Sequence, residues 1–330
     1  MSVLVTGAAG FIGFHVSQAL LARGDAVVGI DNLSPYYDVA LKRARLARLT
    51  DRPPAGNSPG FAFHEADIAD REAVAAIVAR HPEIDRVVHL AAQAGVRHSL
   101  EDPYSYVAAN VMGQVVMLEA VRALAGLASF VYASSSSVYG GNAKQPSSVE
   151  DRVDTPVSLY AATKRADELI THAYCHLYGV PATGLRFFTV YGPWGRPDMA
   201  AYLFADAIVK GRPIRVFNHG AMARDFTYID DIVTGTLAAL DRPPASGTGP
   251  RVYNLGNHRP EKLLDFIAVL EASLGRTAAK ELLPMEPGDV ATSFADIESA
   301  RRDLGYAPTV PIAVGLPRFV AWYKSYHGIA

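Results

Sequence analysis

A chain of 330 residues, half of them hydrophobic and 19% charged, can bury a large core, which excludes a disordered polymer and leaves room for two closely joined lobes. The formal net charge of -2 excludes a broad basic field for nucleic acid, and no apolar run approaches the roughly 20 residues of a membrane-spanning helix. Cys175 is the single cysteine, so no internal disulfide can form. That composition, and the lack of a basic start or cleavage signal around Val3 to Val5, predicts a cytoplasmic protein with a small-molecule partner.

In chain order, Val3 to Val5 reads as a first strand, followed at once by Thr6-Gly7-Ala8-Ala9-Gly10-Phe11-Ile12-Gly13 and an amphipathic helix over Phe11 to Arg23. Further β-branched or aromatic runs stand at Ala26 to Ile30, Phe61 to Phe63, Val87 to Leu90, Phe130 to Tyr132 and Thr183 to Phe187. Helical patterns at Arg71 to Arg80 and Pro103 to Ala123 fall between them, and Asp51 to Gly60 reads as a surface loop. Strand-helix alternation of this kind predicts an α/β fold, a doubly wound parallel sheet of Rossmann type. Past Arg186 the rhythm changes to Gly- and Pro-rich loops with helices near Ala200 to Lys210, Ile229 to Leu240, Leu263 to Leu274 and Ile312 to Tyr323. The expected division is a dinucleotide-binding domain over 1–186 and a smaller C-terminal α/β substrate-binding lobe over 187–330, with some segments of the second returning to the first.

Gly7, Gly10 and Gly13 lie between a strand and a helix, where glycine lets backbone approach a pyrophosphate at a helix N-terminus. The expected cofactor site follows that turn through Phe11 and Ile12. Asp31 ends the second strand, where a carboxylate accepts from ribose hydroxyls and repels a 2′-phosphate, so the reading is NAD, with Asn32 beside it. Tyr160 and Lys164 are one helical turn apart and share a face. Upstream, Ser134 to Ser137 end a strand whose carboxyl end faces the cofactor crevice. A phenol titrates near 10 in water, so general-base work at neutral pH requires cations beside it, and Lys164 supplies one. His172, Cys175 and His176 are also at helical spacing, yet one long helix explains them, and no metal is expected.

The glycine spacing resembles that of extended short-chain dehydrogenases/reductases. The resemblance implies an adenine contact at Asp67-Ile68 and phosphate and ribose contacts at Leu90, Ala91 and Ala92, after His89. It also implies a catalytic set of Ser135, Tyr160 and Lys164. Across nearly the whole chain it narrows to nucleotide-sugar epimerases, above all UDP-glucuronate 4-epimerases. Four segments carry that likeness: Asn32 to Asp38, Gly192 to Met199, Arg224 to Asp231 and Leu283 to Val290. The likeness implies a transient 4-keto sugar, a UDP-sugar partner and a homodimer paired through the helices near Pro103 to Ala123 and Leu159 to Tyr178.

On the substrate side the resemblance implies Arg224 at the diphosphate, Thr189 beside the sugar, Phe217 near the uracil, and Asp289 in the last segment. Arg196 can fork onto a hexuronate carboxylate, aided by Ser136 and Ser137. Glu286 stands where many relatives have a second phosphate-binding Arg, and Arg97 either compensates or pairs with a surface acid. Decarboxylases and dehydratases of similar pattern carry Glu or Asp where this chain has Ser136. A UDP-glucose 4-epimerase, a UDP-glucuronate decarboxylase and, from another class, a redox-inert dinucleotide-binding regulator remain as alternative readings.

Overall fold

The computed structural model describes residues 1–51, 60–245, 247–285 and 290–329. Six strands, β1 (Ser2–Thr6), β2 (Ala26–Asp31), β3 (Phe61–Glu65), β4 (Arg86–His89), β5 (Ser129–Ser135) and β6 (Ala182–Phe187), join a seventh, Arg251–Leu255, in one sheet. Every pairing in it is parallel, in the order 251–255, β6, β5, β4, β1, β2, β3. Alternation of side chains along the strands divides the core in two. Val3, Val5, Val88 and Leu185 point to one face, while Leu4, Val87, Phe130 and Tyr132 point to the other. The first face is covered by α1 (Phe11–Arg23) and the helix Ile229–Asp241, and the second by α3 (Arg71–Arg80), Gly113–Arg122 and Leu159–Tyr178. Because helices cover both faces, Val3, Leu4 and Val5 are all fully buried, and the strand reads as a continuous apolar run.

Strand order reverses between β1 and β4, so the loops after β1 and β4 part at that point and open a crevice at the carboxyl edge of the sheet. Every segment expected at a strand end, from Gly7 to Ser137, converges there.

Two features differ from the expected pattern, the helix after β2 and the break in the helix from Pro103. A helix α2 (Val39–Thr50) follows β2, started by Asp38, whose carboxylate accepts from the Ala40 N–H at 2.8 Å. The strand Arg251–Leu255 returns to the large sheet beside β6. The stretch expected as one helix from Pro103 is broken: Pro103–Tyr106 and Gly113–Arg122 flank a π-helical segment, Val107–Met112. Asn110 lies inside that widened turn, accepts from the Gln93 N–H at 2.8 Å and donates to the Gln93 carbonyl (3.0 Å) and Thr163 Oγ1 (2.9 Å). The side chain ties the loop after β4 to the helix that bears Tyr160, a use for which π-turns are known.

Beyond β6 the sheets are small. Thr189–Tyr191 pairs with Phe226–Tyr228, Ile214–Val216 with Lys280–Leu282, and Ala223–Arg224 lies between Glu261–Lys262 and Thr292–Ser293. Helices Leu263–Leu274 and Ile312–Tyr326 pack against this region, with the Phe226 and Phe266 rings stacked at 4.0 Å. Asp225 holds it together: its buried carboxylate accepts from Thr227 Oγ1 (2.9 Å) and from the backbone N–H groups of Asn257, His258 (3.1 Å) and Ala295 (3.0 Å). Among the described residues no helix is long and apolar enough to cross a membrane.

Candidate active site

A cleft of about 550 Å³ opens at the carboxyl edge of the sheet. One side is built from the glycine turn. Gly7 has φ +69°, and a Cβ there would lie 2.9 Å from the Ala91 nitrogen. At Gly13 a Cβ would lie 2.1 Å from the Gly7 carbonyl oxygen, so only glycine lets α1 start this close to β1. Gly7, Gly10, Phe11, Ile12 and Gly13 all line the cleft, and Gly10 caps α1 without any side-chain bond to the first N–H groups.

Asp31, Asn32, Asp67, Ile68, Leu90, Ala91 and Ala92 continue the same wall. Asp31 accepts from the backbone of Leu33 (2.8 Å) and Ala9 (3.1 Å), and Asn32 donates to Asp67 at 2.9 Å. Burial pushes the Asp31 carboxyl up, with the nearby Lys42 ammonium pulling the other way. A backbone cradle with no room for side chains, next to a carboxylate at the end of β2, fits a dinucleotide.

Thr6 Oγ1 accepts from the N–H groups of Leu90 and Ala91, both at 3.1 Å, and donates to His89 Nδ1 at 2.7 Å. His89 is therefore a core histidine that orders the loop after β4. Burial holds it neutral, with its pKa pushed down to about 3. The unfolded chain takes up a proton near pH 6.5 and the folded chain does not, so this stability is fully present above pH 6.5 and is lost as pH falls from there towards 3. The slope is up to about 1.4 kcal/mol per pH unit from His89 alone. Urea midpoints of His89→Asn, measured between pH 6.5 and 4.5, are expected to fall less steeply than those of the unmodified protein.

The opposite wall carries Ser135, Tyr160 and Lys164. Ser135 caps a 3₁₀ turn, Ser136–Tyr139, with its Oγ accepting from the Ser137 N–H at 3.2 Å. Tyr160 lies in the first turn of the helix Leu159–Tyr178, which Ser158 caps by accepting from the Ala161 N–H at 3.1 Å. Lys164, one turn on, donates to the Ala133 carbonyl and to Asp167, both at 3.0 Å. Ser135, Tyr160 and Lys164 all line the cleft. Behind them, Ser134 donates to Glu168 (2.6 Å), Glu168 takes both arms of Arg186 (2.8 and 2.9 Å), Arg186 donates to the Tyr139 hydroxyl (3.1 Å), and Tyr139 donates to Asn254 (2.7 Å). Burial pushes the Glu168 carboxyl up, but the Arg186 fork outweighs it and holds the group below the usual range. This network locks β5, β6 and the helix of Tyr160 together.

Of the residues expected on the substrate side, Ser136, Ser137, Thr189, Arg196 and Arg224 line the cleft. Arg97 and Phe217 are not among its lining residues; the Arg97 guanidinium lies 4.5 Å from the centre of the Phe217 ring, which Arg215 also approaches at 5.0 Å. Asp289 and Glu286 fall outside the described residues. Arg196 forks onto Asp198, with Nε at 3.0 Å and Nη2 on the second oxygen, and the Tyr36 hydroxyl donates to the same carboxylate at 3.1 Å. Arg224 donates to the carbonyls of Ala223 (3.0 Å) and Ala291 (3.1 Å). Cys175 is buried in the core, its thiol pushed up to about 11 by burial, and among the described residues no cluster of three or more His, Cys, Asp or Glu could hold a metal.

Sequence reasoning missed Asn110, Asp167, Glu168, Arg186 and Asp198. Three left a local signal: Asp167 and Glu168 lie within one turn beyond Lys164, and Asp198 is within a segment already singled out. Asn110 and Arg186 are defined by partners far away in the chain.

Known proteins share this architecture. A model of the NAD dependent epimerase/dehydratase family matches residues 3–256. The chain is 51% identical to UDP-glucuronate 4-epimerase 4 of Arabidopsis thaliana over 340 residues, covering 99% of this chain and 76% of that protein. A solved structure of UDP-glucuronic acid 4-epimerase from Bacillus cereus, in complex with UDP-glucuronic acid and NAD, superposes with a TM-score of 0.89 at 37% identity, covering 99% of this chain and 100% of that one. The UDP-glucose 4-epimerase of Thermotoga maritima, solved with UDP-glucose, superposes at 0.87 with 30% identity over 99% of this chain and 100% of that one.

Proposed function

The chain belongs to the NAD dependent epimerase/dehydratase family, and within it we propose that it interconverts UDP-glucuronate and UDP-galacturonate by epimerisation at C4. One observation carries this reading: a single cleft joins the glycine cradle, Tyr160 with Lys164, and Arg196, a guanidinium whose fork already fits a carboxylate. The kinship with UDP-glucuronate 4-epimerases supports it.

NAD would be held by the glycine turn, Asp31, Asp67, Ile68 and Leu90 to Ala92, with Lys164 at its nicotinamide ribose, and would supply the redox chemistry at C4. Tyr160 takes the proton of the C4 hydroxyl as the carbon is oxidised and gives it back on reduction. Ser135 hydrogen-bonds the same oxygen. Lys164, its position fixed by Ala133 and Asp167, supplies the positive charge that favours the Tyr160 phenolate. In the lobe over 187–330, Arg224 takes the diphosphate, while Thr189 and Arg196, with Ser136 and Ser137, take the uronate.

The two reduction states balance within each turnover, so the cofactor is not consumed. Purified protein incubated with UDP-glucuronate is expected to accumulate UDP-galacturonate in the NMR spectrum without added NAD and without net NADH. A requirement for stoichiometric NAD, with NADH building up, would point to a dehydrogenase instead.

We assign the protein to the cytoplasm as a homodimer. The helices Gly113–Arg122 and Leu159–Tyr178 pack side by side, with Tyr174 donating to Glu119 at 2.6 Å. They and the residues just before them leave Tyr104, Met112, Leu169 and Leu177 more than half exposed, the composition of a buried helical interface. The lone, buried Cys175 suits a reducing compartment.

A further inference from the structure

Arg45, on α2, is completely buried, and its described hydrogen bonds all go to neutral oxygens. Nη1 donates to the Ala9 carbonyl at 2.9 Å and to the Tyr37 hydroxyl at 2.7 Å. Nη2 donates to the carbonyls of Trp194 (2.6 Å) and Gly195 (3.3 Å). Burying a guanidinium is costly, and the cost is tolerated only where its rigid fork satisfies several acceptors at once.

Those acceptors are on three loops. Ala9 is in the glycine turn, Tyr37 in the loop after β2, and Trp194 with Gly195 immediately precede Arg196. The same loop has a second anchor in His15 of α1, which donates from Nε2 to the Pro193 carbonyl at 2.9 Å. Burial pushes the His15 pKa down to about 4, so the ring stays neutral with its single proton on the nitrogen facing that carbonyl. Phe14 and Arg48 approach the Trp194 ring at 5.5 and 4.9 Å, and Trp322 and Tyr326 of the C-terminal helix pack on it at 5.4 and 5.5 Å. The loop that carries Arg196 is thus fastened to the first two helices of the dinucleotide-binding half.

We infer that Arg45 is a positioning residue for sugar recognition: it registers the Arg196 loop against the cofactor-binding turn, so that uronate selectivity depends on a side chain that touches neither sugar nor cofactor. The inference rests on the reading that Arg196 faces the uronate. A lysine at position 45 keeps the charge but has a single nitrogen, which cannot span acceptors on three loops. Arg45→Lys should therefore behave like Arg45→Met.

The test is calorimetric affinity for UDP-glucuronate and UDP-glucose in NAD-loaded protein carrying Tyr160→Phe, so that neither sugar turns over. Arg45→Lys and Arg45→Met are expected to weaken UDP-glucuronate by about tenfold, the order of one lost charged hydrogen bond, and UDP-glucose by less than about twofold. Arg196→Ala should weaken UDP-glucuronate selectively on its own, and adding Arg45→Met to it should change the ratio no further. Equal weakening of both sugars, or additive losses with Arg196→Ala, would overturn the inference, since a general loss of stability has no preference between sugars. An unchanged ratio in Arg196→Ala alone would overturn the underlying reading and the inference with it; selective loss there with none in the Arg45 variants would overturn the inference alone. Should the Arg45 variants fail to fold, His15→Ala, which releases the second anchor of the same loop, must shift the ratio in the same direction by a smaller factor; an unshifted ratio rejects the inference.

Discussion

Tyr160→Phe is expected to bind UDP-glucuronate about as well as the unmodified protein and to lose about 10²- to 10⁴-fold in turnover, the range a general base contributes. The substitution removes one oxygen and leaves the ring, whose edge-on contact with Tyr106 at 6.0 Å and place in the first turn of its helix do not depend on the hydroxyl. Ser158 still caps that helix, and Lys164 still has Ala133 and Asp167 as partners. Binding and fold are therefore preserved while the proton acceptor is lost. On the proposed mechanism Ser135→Ala should lose less, because there Ser135 supports the same oxygen without taking its proton. Single-turnover kinetics with calorimetry would separate the two steps, and near-normal turnover in Tyr160→Phe would remove that residue from the base role.

The parts of this molecule legible in the sequence are those governed by short-range rules. Phe11–Arg23, Arg71–Arg80 and Leu263–Leu274 have the boundaries that apolar periodicity implies. The residues of the glycine turn, with Asp31, Tyr160 and Lys164, meet in one cleft because parallel strands deliver their carboxyl ends to one edge. What periodicity cannot show is partnership across the chain. Arg45 reaches carbonyls about 150 residues away, and in sequence it is one more cation on a basic helix face. Asn110 breaks a regular helical pattern because its side chain bonds to Gln93 and Thr163, and neither bond has a local signature. Phe217 reads as an aromatic available for a base, yet two guanidinium groups lie over its ring. The buried Glu168–Arg186 pair joins helix to strand, and removing either partner strands a charge at a cost of about 3–5 kcal/mol, though each looks like an ordinary surface residue in sequence.

Arg196→Ala is expected to lower kcat/KM for UDP-glucuronate by about 30-fold or more, since truncating one partner of a desolvated charge pair costs about 2–5 kcal/mol, and to alter residual UDP-glucose turnover far less. Part of that loss has a separate origin. Asp198, which Arg196 neutralises in the structure, is left among the described residues with the Tyr36 hydroxyl, so an uncompensated anion faces an anionic sugar. The double variant Arg196→Ala with Asp198→Ala distinguishes the causes: recovery of the repulsive part should leave a residual loss that belongs to the missing clamp. The chemistry makes this discrimination consequential. Oxidation of UDP-glucuronate at C4 gives a β-keto acid, which loses carbon dioxide when its C5–C6 bond stands perpendicular to the carbonyl plane. Retention of all six sugar carbons requires the carboxylate to be held away from that alignment while the keto sugar turns its other face to the cofactor. Ser136 offers a hydroxyl at this position in place of a carboxylic acid, and a hydroxyl is a poor proton donor near neutral pH but a good hydrogen-bond partner for the uronate. Mass spectrometry of the products checks the whole arrangement: UDP-hexuronate alone from the unmodified protein and a UDP-pentose fraction appearing in Arg196→Ala are the expected results, whereas UDP-pentose as the main product of the unmodified protein, or equal losses on both sugars in the variant, would refute the carboxylate clamp.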